Sequence, residues 1–122
     1  MCGISGYISE QSLINRNSVN STLNLMNRRG PDSKGYFTKN YFSKEVSMLH
    51  TRLNIIDLDK RSNQPFIDDN FVLVFNGEIY NYIELRNELK KKYKFNTKSD
   101  TEVLLKCYQE FGEQCVDHFI GM

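Results

Sequence analysis

An α+β fold is the class this sequence predicts, and two observations predict it. Strand-like apolar runs dominate the first two-thirds of the chain and helical spacing the last third, with a single early helix among the strands. There is also no regular strand–helix alternation of the kind a parallel βαβ fold needs. The 122 residues suit one domain. A hydrophobic share of 39%, including seven Tyr and eight Phe, is enough apolar material for a core.

The elements follow in chain order. Gly3 to Ile8 reads as a short buried strand, and Ser9 to Asn17 as a polar, irregular stretch. Val19, Leu23 and Met26 recur at i, i+4 and i+7, one face of a helix that Ser18 is placed to cap. Gly30-Pro31 ends it, because proline lacks the N–H and restricts the residue before it. Tyr36-Phe37 and Tyr41-Phe42 read as two short strands around a turn at Thr38-Lys39-Asn40. Val46 to His50 and Leu53 to Leu58 read as further strands, and Arg61 to Pro65 as a loop. Phe71 to Phe75 is a continuous apolar run of strand length, expected to be buried on both faces, and Asn76-Gly77 breaks it. Tyr82, Leu85 and Leu89 are spaced for a second helix. Ser99-Asp100-Thr101-Glu102 matches a capping box, followed by an apolar stripe of Val103, Leu104, Cys107, Tyr108 and Phe111. A shorter helical stretch with Cys115, Phe119 and Ile120 leads to Gly121-Met122. Because the sequence stops directly after an apolar helix and a glycine, a fragment of a longer protein is expected.

Charge and composition exclude several function classes. Sixteen basic and fifteen acidic side chains leave a formal net charge of +1, so the field expected of a nucleic-acid partner is missing. The basic cluster Lys90-Lys91-Lys92 with Lys94 sits at the end of a predicted helix, where it favours the helix dipole. No apolar run approaches the ~20 residues of a membrane span, and Met1 to Gly6 lacks the pattern of a signal peptide. A cytosolic protein with no membrane partner is expected. Three cysteines, Cys2, Cys107 and Cys115, do not make a disulfide framework in a reducing compartment. Cys107 and Cys115 lie eight apart on apolar helix faces. That is not zinc spacing, so they read as core cysteines and no metal site is expected.

Cys2 carries the chemistry. Removal of Met1 before such a small residue would leave one residue with both a thiol and a free α-amine. The amine, with an unperturbed pKa of ~7.7–8, is a base able to take the thiol proton near neutral pH, directly or through one water. Nucleophile and base then share a residue, the arrangement of N-terminal nucleophile hydrolases. Read alone, a cysteine at position 2 is equally an incidental small residue. Gly3 and Gly6 beside it are equally a strand packed close to a neighbour.

Six further observations, in one order, bear on that choice. Met1-Cys2-Gly3-Ile4-Ser5-Gly6, Arg29-Gly30-Pro31-Asp32-Ser33, His50-Thr51-Arg52-Leu53-Asn54-Ile55-Ile56-Asp57, Gln64-Pro65-Phe66, Phe75-Asn76-Gly77-Glu78-Ile79-Tyr80-Asn81-Tyr82 and Ser99-Asp100-Thr101-Glu102-Val103-Leu104-Leu105 follow one another along nearly the whole chain. In these segments the sequence resembles class II glutamine amidotransferases, and specifically their asparagine synthetase branch. The glucosamine-6-phosphate synthase branch has Tyr where Pro31 stands here and a different run after His50-Thr51-Arg52.

The resemblance implies hydrolysis of L-glutamine to glutamate and ammonia through a thioester on Cys2. It implies an oxyanion hole formed by the Asn76 side-chain amide and the Gly77 N–H. It also implies that Arg52 binds the α-carboxylate of glutamine, and that Asp100, with Glu78 nearby, binds its α-amino group. Each residue has a plainer reading beside this. Asn76-Gly77 is a frequent hairpin turn, Arg52 a surface arginine at a strand end, and Asp100 a first-turn acid favoured by the helix dipole. Arg29 and Asp32 read as loop-ordering residues. A Cys–His pair is conceivable with only His50 and His118 available, but the Cys2 amine makes it unnecessary, and His50 reads as a hydrogen-bonded strand residue.

The family fold implied is an αββα sandwich of antiparallel sheets, here incomplete at the C-terminus, with residues 1–122 as a partial glutaminase domain. The ATP-dependent synthetase domain that follows in the family is expected to lie outside residues 1–122. No cofactor is therefore expected in this chain, and ATP and magnesium belong to that domain. Expected partners are L-glutamine and a synthetase domain in a longer parent or partner chain, with a homodimer left open. The ammonia acceptor implied by the branch is aspartate. Two other readings stay open on sequence alone: a non-catalytic glutamine-binding or regulatory remnant, and a purely structural domain.

Overall fold

In the computed structural model, residues 2–10, 15–68 and 70–122 are described. They form a mixed α/β structure whose sheets are antiparallel, in two compact units. One comprises the chain up to Asn54 together with Asn63–Asn76; the other comprises Ile55–Ser62 and Gly77–Met122.

The first unit is built on β1 (Gly3–Ser9), β2 (Ser33–Tyr41) and β3 (Lys44–Arg52), in the spatial order β1-β3-β2. Gly3 pairs with Thr51 on one side of β3, and Ser33 with Arg52 on the other. Because side chains alternate along a strand, Leu49 and Thr51 share one face and His50 and Arg52 the other. On the Leu49 face lies helix α1 (Arg16–Met26). It buries Val19 and Leu23 against Leu49, with Met26 packed alongside. The i, i+4, i+7 spacing is thus the face that docks.

The cap of α1 is Asn15, not Ser18: the Asn15 side chain accepts the Ser18 N–H at 2.9 Å. Arg16 and Asn17 consequently join the helix, while residues 11–14 of the stretch expected to be irregular lie outside the described residues. At the other end Thr51 Oγ1 donates to the Met26 carbonyl at 3.1 Å, satisfying one of the helix's orphan acceptors. The loop after α1 passes close beneath β3. A Cβ on Gly30 would lie 2.2 Å from the Thr51 carbonyl oxygen.

Three strand expectations are corrected. Tyr36-Phe37 and Tyr41-Phe42 do not flank a turn, because β2 runs unbroken through Thr38-Lys39-Asn40 and pairs with β3 along its whole length. The turn falls at Phe42-Ser43, with Phe42 at φ 54 and fully exposed. A two-residue hairpin needs a positive φ, and here a phenylalanine adopts it without any Asn or Gly to announce it. Leu53 to Leu58 is not a strand. Ile55 and Leu58 are exposed, and Asp57 at φ 58 is left-handed, which extended backbone cannot accommodate. The run Phe71 to Phe75 forms only a three-residue strand, β5 (Phe71–Leu73), half-buried and paired with β4 (Phe66–Asp68) in a small ribbon.

The second unit holds a 3-10 turn (Lys60–Ser62), α2 (Tyr82–Leu89), α3 (Asp100–Phe111) and a 3-10 segment (Gly112–His118). Helices α2 and α3 pack together, and Leu85, Leu89, Val103, Leu105, Cys107 and Cys115 are buried. Ser99 caps α3 by accepting the Thr101 N–H at 3.1 Å. The capping box is only half made. Glu102 does not reach back to Ser99, whose N–H goes to Thr97 Oγ1; it accepts instead from the N–H groups of Asn96 and Thr97. The buried stripe of α3 is also shifted from the expected one: Leu105 replaces Tyr108 and Phe111, which are exposed. The last residues are extended rather than helical. Glu78 and Met122 exchange two backbone hydrogen bonds at 2.8 and 3.0 Å, and Ile79 bridges Gly121. Among the described residues no helix is long and apolar enough to cross a membrane.

The close passage at Gly30 yields a test. Gly30→Ala should cost about 1–3 kcal/mol, because backbone atoms of β3 rather than a flexible side chain stand in the way. Leu25→Ala on the exposed side of α1 should stay within about 0.5 kcal/mol. Denaturant unfolding of both variants checks this, and equal midpoints would refute the close approach.

Candidate active site

Cys2 stands just before β1, half-buried and with a free thiol. Pairing of Gly3 with Thr51 carries it to the end of β3, where the Leu53 N–H donates to Cys2 Sγ at 3.4 Å. The Cys2 carbonyl accepts from Arg29 Nε at 3.0 Å. Asp32 accepts the Asn54 N–H at 2.7 Å, and its own N–H donates to the Arg52 carbonyl. Arg29 and Asp32 therefore order the loops on either side of the thiol, as their place in the sequence suggests.

Arg52 closes β3 and is 4% exposed, so it is not the surface arginine of the plainer reading. Its Nη1 donates to Asn63 Oδ1 at 2.9 Å, which also accepts from Ser33 Oγ. Two residues earlier on the same face, His50 is 1% exposed, with Nε2 3.1 Å from the Phe75 carbonyl. A carbonyl only accepts, so Nε2 carries the proton and Nδ1 does not. Burial lowers the His50 pKa, the Phe75 carbonyl works against this, and the charge of Arg52 adds to it. The ring is neutral and engaged with Phe75, while the Cys2 thiol is engaged with Leu53, so no Cys–His pair forms.

Asn76 ends the first unit. Its Oδ1 is buried without a hydrogen-bond partner. The Asn76-Gly77 pair does not close a hairpin, since β5 pairs with β4 alone among the described residues. Thus the end of β3 gathers three of the expected residues within the first unit. Cys2 is held through Leu53, Arg52 lies on the strand itself, and Asn76 follows the residue bound by His50.

Gly77, Glu78 and Asp100 belong to the second unit. Asp100 opens α3, is 6% exposed, and accepts the Ile79 N–H at 3.2 Å, one residue beyond Glu78. Burial raises its pKa. Hydrogen bonds from Ile79, Thr101 and Ser99 oppose the rise, and the Glu78 charge adds to it. A buried carboxylate next to a second acid is stabilised by a cation, such as the ammonium of an amino acid. His118 is exposed and stacked on Phe111, with ring centroids 4.2 Å apart. Cys107 and Cys115 are buried free thiols, and burial pushes the Cys107 thiol up to about 11, so it is inert near neutral pH.

Two residues with structural weight were not assigned roles from sequence. Gln64 accepts the Phe75 N–H at 2.6 Å. Asp57 accepts from the Asp59 N–H, Ser62 Oγ and the Lys98 N–H; these bonds outweigh burial and hold its pKa below the usual value. The repeated acids Asp57-Leu58-Asp59, turn formers rather than strand formers, were the available signal for Asp57.

A family model for the glutamine amidotransferase domain matches residues 1–122. The chain is 42% identical to asparagine synthetase (glutamine-hydrolyzing) 1 of Bacillus subtilis, over all of this chain and 20% of that protein. It is 36% identical to a putative asparagine synthetase (glutamine-hydrolyzing) 2 of Methanocaldococcus jannaschii, over all of this chain and 26% of the relative. It is 38% identical to asparagine synthetase B (glutamine-hydrolyzing) of Escherichia coli, over all of this chain and 22% of the relative. The chain belongs to the glutamine amidotransferase domain family, in its asparagine synthetase branch. It spans between a fifth and about a quarter of the length of these relatives.

The pKa of Asp100 provides a pH test. A folded pKa above the unfolded one favours folding at low pH, and that contribution is lost as pH rises through the folded value. Asp100→Asn should therefore melt above wild type at pH 7, and the difference should shrink as pH falls and vanish below about pH 3, where folded and unfolded aspartate are both protonated. A lower melting temperature at pH 7 would show that the carboxylate stabilises the fold.

Proposed function

We propose that this chain hydrolyses L-glutamine as the glutaminase portion of an asparagine synthetase. The Cys2 thiol, its proton taken by the α-amine freed when Met1 is removed, attacks the side-chain amide carbon of glutamine. The tetrahedral oxyanion is held by the Asn76 side-chain amide and the Gly77 N–H. Collapse breaks the C–N bond, ammonia leaves with a proton returned by the amine, and a γ-glutamyl thioester remains on Cys2. Water then adds to the thioester, releasing glutamate and restoring the thiol. Arg52 takes the α-carboxylate of the substrate, with its planar fork of donors matched to the two oxygens. Asp100 and Glu78 take the α-ammonium.

The ammonia serves a synthetase domain, in a longer parent chain or a partner, that amidates aspartate. ATP and magnesium act there and not on the residues discussed. Residues 1–122 form part of a cytosolic amidotransferase domain whose complete form is an αββα sandwich, to which the antiparallel strands seen here contribute. One observation carries the reading. In a chain matched end to end by the amidotransferase family, the residue after Met1 is a thiol held at the end of the central strand.

The experiment uses protein from its native cell. Intact mass should show loss of Met1, and a glutamine-analogue electrophile should label Cys2. Cys2→Ala should abolish labelling and lower glutamine hydrolysis by about 10³-fold or more. Label on Cys107 would overturn the site. Retained Met1 with glutamine still bound would favour the non-catalytic, regulatory reading.

A further inference from the structure

The residue before Asn76 is held at both ends. Gln64 Oε1 accepts the Phe75 N–H at 2.6 Å, and His50 Nε2 donates to the Phe75 carbonyl at 3.1 Å. These bonds fix the two peptides on either side of the Phe75 Cα, and the second of those peptides carries the N–H of Asn76. Phe75 lies beyond β5, whose ladder with β4 ends at Leu73, so among the described residues no strand pairing does this instead. Both side chains are themselves fixed. His50 is 1% exposed in the middle of the three-stranded sheet, and Gln64 is 6% exposed beside Asn63, the residue that holds Arg52.

We propose that His50 and Gln64 are positioning residues that aim the oxyanion donors of Asn76 and Gly77. The proposal rests on the reading of those two residues as the oxyanion pair. Oxyanion donors act only if they already point to where the charge develops. A residue held at one of its two flanking peptides can still turn about its own φ or ψ; Phe75, held at both, has that freedom removed, and a misplacement of about 1 Å in such a site costs on the order of 10²-fold in rate. The same short loop, Asn63-Gln64, then sets the guanidinium of Arg52 and the backbone ahead of Asn76. Neither side chain touches the substrate in this scheme, so their effect falls on the transition state and not on glutamine binding.

The test is steady-state glutamine hydrolysis by the whole protein as its gene encodes it. His50→Leu and Gln64→Met should lower kcat roughly 10- to 100-fold, with KM for glutamine within about twofold of wild type. His50→Gln keeps an N–H donor and Gln64→Glu keeps an acceptor, and each should recover most of the lost kcat. Unchanged kcat in the Leu and Met variants, a rise in KM alone, or equal losses in all four variants would overturn the proposal. Cys2→Ala and Asn76→Ala are measured alongside. Full activity in those two would sink the reading of the site itself. Loss there, with normal kcat in His50→Leu and Gln64→Met, would sink only the positioning role. If a variant does not fold, the 15N spectrum of the wild-type His50 ring decides. The Nε2–H tautomer is expected, and an Nδ1–H tautomer would remove the bond to Phe75 and the proposal with it.

Discussion

The two-sided pairing of β3 is the constraint on which the first unit depends. All nine residues of Lys44–Arg52 pair with β2 on one edge and seven of them, from Glu45 to Thr51, with β1 on the other, and this register leaves no freedom about which side chains face which way. A slip of one residue would turn Leu49 away from α1 and send His50 and Arg52 to the helix side. The apolar contact of Leu49 with Val19 and Leu23 makes that slip costly. Hydrophobic burial on one face of the sheet thereby orients polar chemistry on the other.

That polar chemistry is unusually well buried. His50, Thr51, Arg52 and Gln64 in the first unit, and Thr97, Ser99, Asp100 and Glu102 in the second, are all nearly inaccessible to water. Burying such groups costs free energy unless hydrogen bonds replace those lost from water. Most find replacements at short range: Thr51 at the end of α1, Arg52 at Asn63, Gln64 at Phe75, and Glu102 at Asn96 and Thr97. Among the described residues, His50 Nδ1, Asn54 Oδ1, Asn76 Oδ1, Arg86 Nη1 and Gln109 Oε1 are buried without a hydrogen-bond partner. For His50 the reason is chemical: a neutral ring with its proton on Nε2 keeps a bare Nδ1, and a second proton there would face the Arg52 charge.

The second unit works by the opposite electrostatic logic. Asp100 sits at the start of α3, where the helix dipole favours an anion, yet burial and the nearby Glu78 make its charge costly. Glu102, two residues on, is a still more deeply buried carboxylate whose oxygens accept the N–H groups of Asn96 and Thr97. Both acids accept backbone N–H groups, Glu102 those of Asn96 and Thr97 and Asp100 those of Ile79 and Thr101. The sequence offers Ser99–Glu102 as a capping box, with Asp100 also read as a first-turn acid and, through the resemblance, as a substrate residue; the structure keeps the Ser99 cap and turns Glu102 to Asn96 and Thr97 instead.

What the sequence by itself determined was the family and the broad mixed helix-and-antiparallel-sheet class of the fold. The apolar spacing of Val19, Leu23 and Met26 defined the docking face of α1, and that of Tyr82, Leu85 and Leu89 located α2. The ordered segments around Cys2, Arg52, Asn76-Gly77 and Asp100 carried the family that the comparisons then bore out. Tertiary structure alone decided where strands end and which polar groups meet. Phe42 turns the β2–β3 hairpin although no Asn or Gly marks it, because cross-strand register overrides local preference. Leu53 to Leu58 has a strand's composition but bends at Asp57, whose carboxylate is claimed by Ser62 and by Lys98, forty-one residues away. Gln64 and His50 converge on Phe75 from positions eleven and twenty-five residues distant. Local periodicity reports burial along a segment. Hydrogen bonds between distant segments depend on register and loop path, which no local pattern encodes.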